Sequence, residues 1–294
     1  MKILGAGIAV SDGAKHALPF ANDYAVKAAR QALSKARCLP SELDLIVSLS
    51  VSPNRMADAA PIAGPRLAHP VQRDLRASNA AVFDLLDADW TLALDLVQSH
   101  CRQLGYRRAL VVRAEALADV EGAESGGYAD GAGAIVLAPG RDDRYHASYA
   151  DLDAPSLATL GAVPARHMHE TGIVARFDGG FDPATGRFRT QPSNADAAVR
   201  SVVGDVRSKI DAPVSELFRE SWLRGWLSDE PGFASETRVD MIDGAADIPA
   251  AFQLPAWLAT RAAASAGVRG DAQVVAALTL DAFKPRIACI AMEV

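Results

Sequence analysis

Short, nearly continuous apolar runs alternate along this chain with longer segments in which apolar residues recur at helical spacing. The run LDLIVSLSVS is typical of a strand that is covered on both faces. The segment before it, FANDYAVKAARQALSKARCL, has the period of an amphipathic helix, with Asn22 or Asp23 as the candidate cap. This alternation predicts an α/β protein with parallel strand pairing.

The same reasoning places the remaining elements. Further strands are predicted at MKILGAGIAV, AAVFDLL, RRALVVRAEAL and YADGAGAIVLAPG. Helices are predicted at RLAHPVQRDLRA, where Pro70 should kink or shorten the helix, and from about Asp89 to Leu104. Residues 141–192 are richer in Asp, Gly, Pro and His and are predicted to form a crossover. From about Ser193 onward, two helices, NADAAVRSVVGDVRSKI and AFQLPAWLATRAAASAG, precede two final strands in QVVAALTLDAFKPRIACIAMEV.

Charge and apolar content argue against several classes of function. Thirty basic residues against thirty-six acidic ones give a net charge of -6, and no basic run stands out, so no nucleic-acid partner is expected. The N-terminus lacks the pattern of a secretory signal, and no apolar run reaches the roughly 18 residues of a membrane span. The sequence therefore predicts a cytoplasmic protein without a membrane span.

No metal or cofactor is predicted. Cys38, Cys101 and Cys289 are odd in number and far apart, which favours reduced, buried thiols over a disulfide or a zinc site. His167 and His169 have no third ligand nearby and are predicted to lie in a solvated loop.

An ordered set of motifs resembles the ketoacyl synthase III family of thiolase-fold enzymes. The motifs are GAGIAV, LDLIVSLSVSP, GPRLAHPVQRDL, VFDL, ALVVRAE and DGAGAIVL. The resemblance implies an α/β thiolase fold, in which two pseudo-repeated βαβαβαββ-type halves form a layered αβαβα sandwich. The halves are expected at residues 1–160 and 161–294, the second one shortened.

The resemblance also identifies the position of the family's nucleophile. In active members, the strand that begins with Phe-Asp is followed, six residues after the Phe, by the cysteine that accepts the acyl group. In this sequence the count from Phe83 reaches Asp89. A buried helix N-terminus stabilises a carboxylate as it does a thiolate, and so makes it a poor nucleophile. We therefore expect Asp89 to be a helix cap and expect no catalytic residue in this chain.

The other catalytic positions of the family have also changed. The family's His and Asn come from the C-terminal half, but no Asn or His follows Asn194. The family's Gly-Asn-Thr-Ser corresponds to residues 247–250, Asp-Ile-Pro-Ala, and LDAFKPR replaces its last Gly-rich loop. Trp90 replaces a small residue beside the nucleophile position. These changes predict an acyl tunnel that is closed or greatly reduced.

Among degenerate members of the family, the sequence resembles the non-catalytic subunits of alkylquinolone synthase, which act in quorum sensing. The resemblance implies a PqsC-type catalytic partner, in a heterodimer or heterotetramer. That partner would condense a medium-chain acyl thioester with 2-aminobenzoylacetate to give a 2-alkyl-4-quinolone. The expected partner interface has two parts: an edge strand with Phe83, Asp84, Leu85 and Leu86, and a loop with Asn54, Arg55 and Met56.

Two other functions are compatible with the sequence. The chain could act alone as a thiolase-fold acyltransferase or hydrolase in which Asp89 works with His69 or His100. It could also be a homodimeric protein that holds an acyl thioester without chemistry. An open pocket beside Asp89 would favour the first alternative, and independence from a partner would favour the second.

Overall fold

The structure is a computed structural model. It describes residues 1–11, 18–50, 57, 64–86, 88–117, 129–153, 156, 166–169, 172–175, 181–182, 187–188, 194–220, 238–240, 248–265, 273–281 and 286–294. Five helices lie in this part of the chain: α1 Ala21–Ala36, α2 Ala68–Leu75, α3 Trp90–Leu104, α4 Ala195–Lys209 and α5 Gln253–Ser265.

The strands of the main sheet are β1 Lys2–Val10, β2 Leu45–Ser50, β3 Ala81–Leu86, β4 Ala109–Glu115, β5 Gly131–Ala138, β6 His146–Asp151, β11 Val214–Arg219, β12 Arg238–Asp240, β13 Val274–Asp281 and β14 Arg286–Glu293. Two small hairpins complete the set: β7 Arg166–His169 with β8 Gly172–Ala175, and β9 Phe181–Asp182 with β10 Arg187–Phe188.

The two halves have similar orders of elements. The first half runs β1-α1-β2-α2-β3-α3-β4-β5, and the second runs β6-α4-β11-β12-α5-β13-β14 in the described residues. The strand orders are β3-β2-β4-β5-β1 and β12-β11-β13-β14-β6, and the two groups meet where Lys2 pairs with Glu293. β6 precedes the predicted division at residue 160 and pairs with β14 of the second group. The division itself stays a prediction.

Three buried clusters define the layers. We call the group β3-β2-β4-β5-β1 the first sheet and the group β12-β11-β13-β14-β6 the second sheet. Val47 of β2 and Val275 of β13 belong to one buried cluster with Leu94 of α3 and Trp257 of α5, so these two helices lie between the two sheets. On the outer face of the first sheet, Ile46 packs with α1 and α2. A third cluster joins α4 to the second sheet. The result is the predicted αβαβα sandwich, and it explains the continuous apolar run of β2, whose alternate residues enter different layers.

The predicted parallel pairing is found between β2 and both β3 and β4, and between β11 and both β12 and β13, but the sheet as a whole is mixed. β5 runs antiparallel to β1 and β4, and β14 runs antiparallel to β13 and β6. β14 follows β13 after only four residues, whereas a parallel connection would need a crossover of a dozen or more residues.

Pro70 lies in a helix that is shorter than the predicted segment, since α2 spans Ala68–Leu75 and the segment covers residues 66–77. Pro70 lies in the first turn of the helix, where its missing N–H would have had no intrahelical partner. The segment 141–192 also differs from a simple crossover, since it contains β6 and the two small hairpins. His167 and His169 belong to β7, not to the loop that their spacing and polarity had indicated.

Candidate functional site

Asp89 is a buried residue that caps the N-terminus of α3. Its backbone is extended, its residue is only 5% exposed, and its Oδ1 accepts a hydrogen bond from the backbone N–H of Leu92 at 3.1 Å. This is the geometry of an N-cap, which satisfies one of the free N–H groups of the first turn. The residue that the family count assigned to the nucleophile position therefore lies at the start of α3.

The second carboxyl oxygen of Asp89 is also engaged. The hydroxyl of Thr279 on β13 donates to Oδ2 at 3.0 Å, and the hydroxyl of Thr91 lies 2.6 Å from that of Thr279. Because Thr279 has one hydroxyl proton and gives it to Asp89, Thr91 must be the donor to Thr279. All three residues are buried.

Arg286 connects the Asp89 cap to the second sheet. Its Nη2 lies 3.6 Å from Oδ1 of Asp89 and 3.4 Å from Oδ2 of Asp281, its cross-strand neighbour. The guanidinium carbon lies 4.7 Å from the centre of the Tyr149 ring, which is within cation–π range. A carboxylate with these partners is stabilised in place and is a weak nucleophile.

Asp95, six residues or nearly two turns further along α3, binds two tyrosines of the second half. The hydroxyl of Tyr149 donates to Asp95 at 2.9 Å, and that of Tyr145 donates to the other oxygen. Burial, and then the Asp95 carboxyl, raise the pKa of both phenols above the ordinary tyrosine value, so both remain donors at neutral pH. The first two turns of α3 are thus held to the second sheet by polar bonds.

Further buried charges lie in this region, and the sequence reasoning missed them. Glu115 ends β4, Asp281 ends β13 and Glu220 follows β11. Arg113 pairs with Glu115 at 3.2 Å, and Ser50 donates to the same carboxyl at 3.1 Å. The sequence pattern that could have identified these three acids is an acidic residue at the carboxyl end of an apolar strand, as in VVRAE, LTLD and LFRE.

Trp90 fills the space beside Asp89. Its side chain is 1% exposed, and its indole N–H donates to the carbonyl of Ala251 at 2.8 Å. A Cβ atom at Gly133 of β5 would lie 3.4 Å from the Trp90 ring and 2.3 Å from Pro255 of α5. The start of α3, β5 and the start of α5 are therefore in close contact here, as expected for a reduced tunnel.

The structure does not bring a histidine to Asp89 in the positions that the autonomous-enzyme alternative requires. His69 is exposed on α2, which covers the outer face of the first sheet. His100 is exposed on α3, eleven residues and so about 16 Å beyond Asp89 along the helix, and its ring packs against Phe83. Neither residue is placed to activate a nucleophile at Asp89.

The three cysteines are buried and free. Burial raises the pKa of the Cys101 thiol to about 11, so it is a protonated thiol at neutral pH. Burial likewise raises the pKa of Cys38 and of Cys289. None of the three is a thiolate nucleophile in this environment.

The predicted interface strand is an edge strand. β3 pairs with β2 on one side and ends the strand order of the sheet. Phe83 and Leu85 are half-buried and pack against the central cluster, while the side chain of Leu86 lies outside the described residues. Asn54, Arg55 and Met56 also lie outside them. Among the described residues, β2 is the only strand that pairs with β3, and an unpaired strand edge is a surface on which another strand can pair.

Asp84 has an internal role. Its carboxyl accepts hydrogen bonds from the hydroxyl of Ser48 at 2.5 Å and from the backbone N–H groups of Leu67 and Ala68 at 3.1 and 2.8 Å. It therefore caps α2 from the neighbouring strand. Its place in a partner interface stays a prediction.

The part of the chain that the structure describes contains no cluster of three His, Cys, Asp or Glu residues arranged to hold a metal ion. In the same residues, no helix is both long enough and apolar enough to cross a membrane. The segment 247–250 lies just before α5. Asp247 lies outside the described residues, and Ala250 begins a 3-10 turn, Ala250–Phe252, that leads into α5.

Comparison with known proteins gives matches in both sequence and structure. No family model matches the chain. It is 40% identical over 110 residues to the 2-heptyl-4(1H)-quinolone synthase subunit PqsB of Pseudomonas aeruginosa, a stretch that is 37% of this chain and 39% of PqsB. It is 36% identical over 128 residues to the β-ketoacyl-[acyl-carrier-protein] synthase III of Clostridium perfringens, 42% of this chain and 37% of that protein.

The structural match covers nearly the whole chain. The crystal structure of the Pseudomonas aeruginosa 3-oxoacyl-(acyl carrier protein) synthase III superposes with a TM-score of 0.66, 99% of this chain and 97% of that one being covered at 17% identity. The sequence matches span about two fifths of the curated relatives. The thiolase fold and the resemblance to the ketoacyl synthase III family, PqsB included, are thus confirmed.

Proposed function

We propose that this chain, a PqsB-like protein with the ketoacyl synthase III fold, is the non-catalytic subunit of a heteromeric condensing acyltransferase. The observation that carries the proposal is the state of Asp89. Both of its carboxyl oxygens are engaged by Leu92, Thr279 and Arg286 in a buried network. A residue at the nucleophile position that is used in this way supports a structural function for the centre.

The partner in this proposal is a PqsC-type synthase that carries the family's Cys, His and Asn. It would condense a medium-chain acyl thioester with 2-aminobenzoylacetate to give a 2-alkyl-4-quinolone. The sequence match to a quinolone synthase subunit favours this substrate class over ordinary fatty-acid synthesis. The proposal includes a cytoplasmic location and a role in quorum sensing.

The proposed contact surface is the free edge of β3 together with the neighbouring face of α3. Leu92 and Leu96 are half-buried on that face, and His100 contacts Phe83 at a ring distance of 5.6 Å. An apolar sheet edge of this kind is prone to aggregate unless another strand pairs with it. The corresponding strand of a partner with the same fold would continue the sheet across the interface.

The test is co-expression with the intact ketoacyl synthase III homologue of the same genome and purification through a tag on this chain. The eluate is assayed with octanoyl thioester and 2-aminobenzoylacetate, with each chain alone as control. We expect only the complex to form alkylquinolone. The Asp89→Asn variant should retain that activity within about twofold, because an amide oxygen still accepts from Leu92. Thioester turnover by this chain alone, abolished in the variant, would instead establish the autonomous enzyme.

The interface part of the proposal has its own test. Phe83→Lys places a charge beside the β3 edge and should weaken the complex more than tenfold in a pull-down titration. Leu39→Lys is the matched control, because Leu39 is 65% exposed at the start of a 3-10 turn. Melting temperatures of the free variants show whether each still folds. Equal binding by both folded variants would locate the interface elsewhere, and a tight homodimer without a partner would favour the acyl-binding alternative.

A further inference from the structure

Glu220 is a buried carboxyl group to which the proposed function gives no role. It follows β11 and is 6% exposed. Its backbone N–H donates to the carbonyl of Leu278 at 3.4 Å, and its Oε2 accepts from the backbone N–H of Leu280 at 3.0 Å. One backbone bond and one side-chain bond to β13 thus hold Glu220 in the interior.

The surroundings of Glu220 disfavour its negative charge. The pKa of Glu220 is raised to about 8, chiefly by burial and also by the carboxyls of Asp89 and Asp281, while the N–H of Leu280 and the guanidinium of Arg113 act in the opposite direction. At neutral pH the carboxyl of Glu220 is therefore mostly protonated.

The cations of this region are already paired. In the described residues, Arg113 of β4 bonds to Glu115, and Arg286 of β14 is shared between Asp89 and Asp281 under the ring of Tyr149. Ionised Glu220 would add a fourth carboxylate to a group that contains two guanidiniums.

Glu220 is linked to α3 through β13. Leu280, which donates to Glu220, is adjacent to Thr279, whose hydroxyl donates to the α3 cap Asp89. A negative charge on Glu220 repels Asp89 and Asp281, and so acts on the bonds that hold the start of α3 to the second sheet. The same helix carries the His100 that packs against Phe83 of β3.

We propose that Glu220 is a proton-operated latch: when protonated it leaves intact the bonds of Asp89 that hold the N-terminus of α3 to the second sheet, and when deprotonated its charge loosens α3 and weakens the α3–β3 contact surface. The part that concerns the surface rests on the proposed function, whereas the part that concerns α3 does not. The sign follows from linkage. A carboxyl whose pKa is raised in the folded state favours folding fully below its unfolded pKa, and this contribution is lost as the pH rises through about 8.

The first experiment follows thermal unfolding of the free chain between pH 5 and 9.5. We expect the melting temperature of the wild type to fall by at least about 5 °C between pH 5 and 8 and to level off above pH 8, and that of Glu220→Gln to fall much less. Glutamine keeps the acceptor for Leu280 and cannot ionise. Glu216→Gln, on the same strand, is the control and should follow the wild-type slope. Parallel wild-type and Glu220→Gln profiles would overturn the latch.

A second measurement covers the case in which Glu220→Gln fails to fold. The infrared band of a protonated carboxyl in the wild type should disappear as the pH rises from 7 to 9. Absence of that band at pH 7 would overturn the proposal without any variant.

The partner step is tested by the affinity of the purified complex at pH 7 and 9. We expect at least fivefold weaker association of the wild type at pH 9, and a smaller loss for Glu220→Gln. Equal losses of affinity for the wild type and Glu220→Gln would overturn the proposed link between Glu220 and the contact surface. The thermal unfolding profiles would still test the effect of Glu220 on α3. If no complex forms at either pH, the proposed function fails and the link to the surface fails with it.

Discussion

The two central helices occupy equivalent places in the repeated fold and begin in different ways. α3 begins at a charged cap that is bonded to Thr279 and Arg286 of the other half. α5 begins after a 3-10 turn, has no acidic residue in its first turn, and is buried from Gln253 to Ala259. The two central helices therefore contribute differently to the structure. α5 fills the interior, whereas α3 is held by polar bonds and has one face toward the β3 edge.

The largest effect is expected where α5 meets β5. A Cβ atom at Gly133 would lie 2.3 Å from Pro255, so Gly133→Ala should destabilise the fold by about 2–4 kcal/mol in chemical unfolding, because neither the sheet nor the Pro ring has room to move. Gly204→Ala on α4 is the matched control. A Cβ atom there meets nothing within 4 Å, so that variant should be neutral or more stable by up to about 1 kcal/mol. Equal losses would show that α5 is not closely packed.

A smaller loss is expected at the start of α3. Asp89→Ala removes the acceptor of Leu92 and of Thr279 and leaves Arg286 with Asp281 as its carboxyl partner, which should cost about 2 kcal/mol. Asp89→Asn should cost less, since its amide oxygen still caps the helix. Urea unfolding of both variants measures the difference. A more stable Asp89→Ala variant would show that the carboxyl is strained and not a favourable cap.

The smallest expected effect is the difference in stability between substitutions at the two buried tryptophans of these helices, Trp90 and Trp257. The indole N–H of Trp90 donates to Ala251, whereas that of Trp257 has no hydrogen-bond partner among the described residues. Trp90→Phe and Trp257→Phe remove similar volumes, but only the first leaves a carbonyl unpaired. We expect Trp90→Phe to be the more destabilising by about 1 kcal/mol in the same unfolding assay. The reverse order would make the Ala251 bond energetically unimportant.

Much of the fold was predictable because it depends on local patterns. Strand and helix periods located α1, α3 and most strands of the first half, since burial repeats with the geometry of each element. The antiparallel direction of β5 and β14 was missed, because direction depends on the connection between strands and not on the pattern within a strand. β6 was missed because its half-buried residues lack a continuous apolar run.

The site was predicted only in part. The cap at Asp89 follows from a residue that suits an N-cap ahead of an apolar helix, and the structure agrees. The acids Glu220 and Asp281 were not predicted as part of the site. Glu220 follows β11 and Asp281 ends β13, and both are far from Asp89 in the sequence, so only the packing of the two halves brings them near it. The predicted loop partners Asn54, Arg55 and Met56 stay predictions.

The sequence by itself determined the positions of α1, α3 and most strands of the first half, that Asp89 precedes an apolar helix as an N-cap residue would, and that no His or Asn follows Asn194. These are properties of residue type and spacing. Only the tertiary structure decided that both oxygens of Asp89 are engaged, that Arg286 joins α3 to the second sheet, and that Glu220 is buried beside two other acids. The physical reason is distance: bonds and desolvation between residues some 190 positions apart exist only after the two halves have packed together.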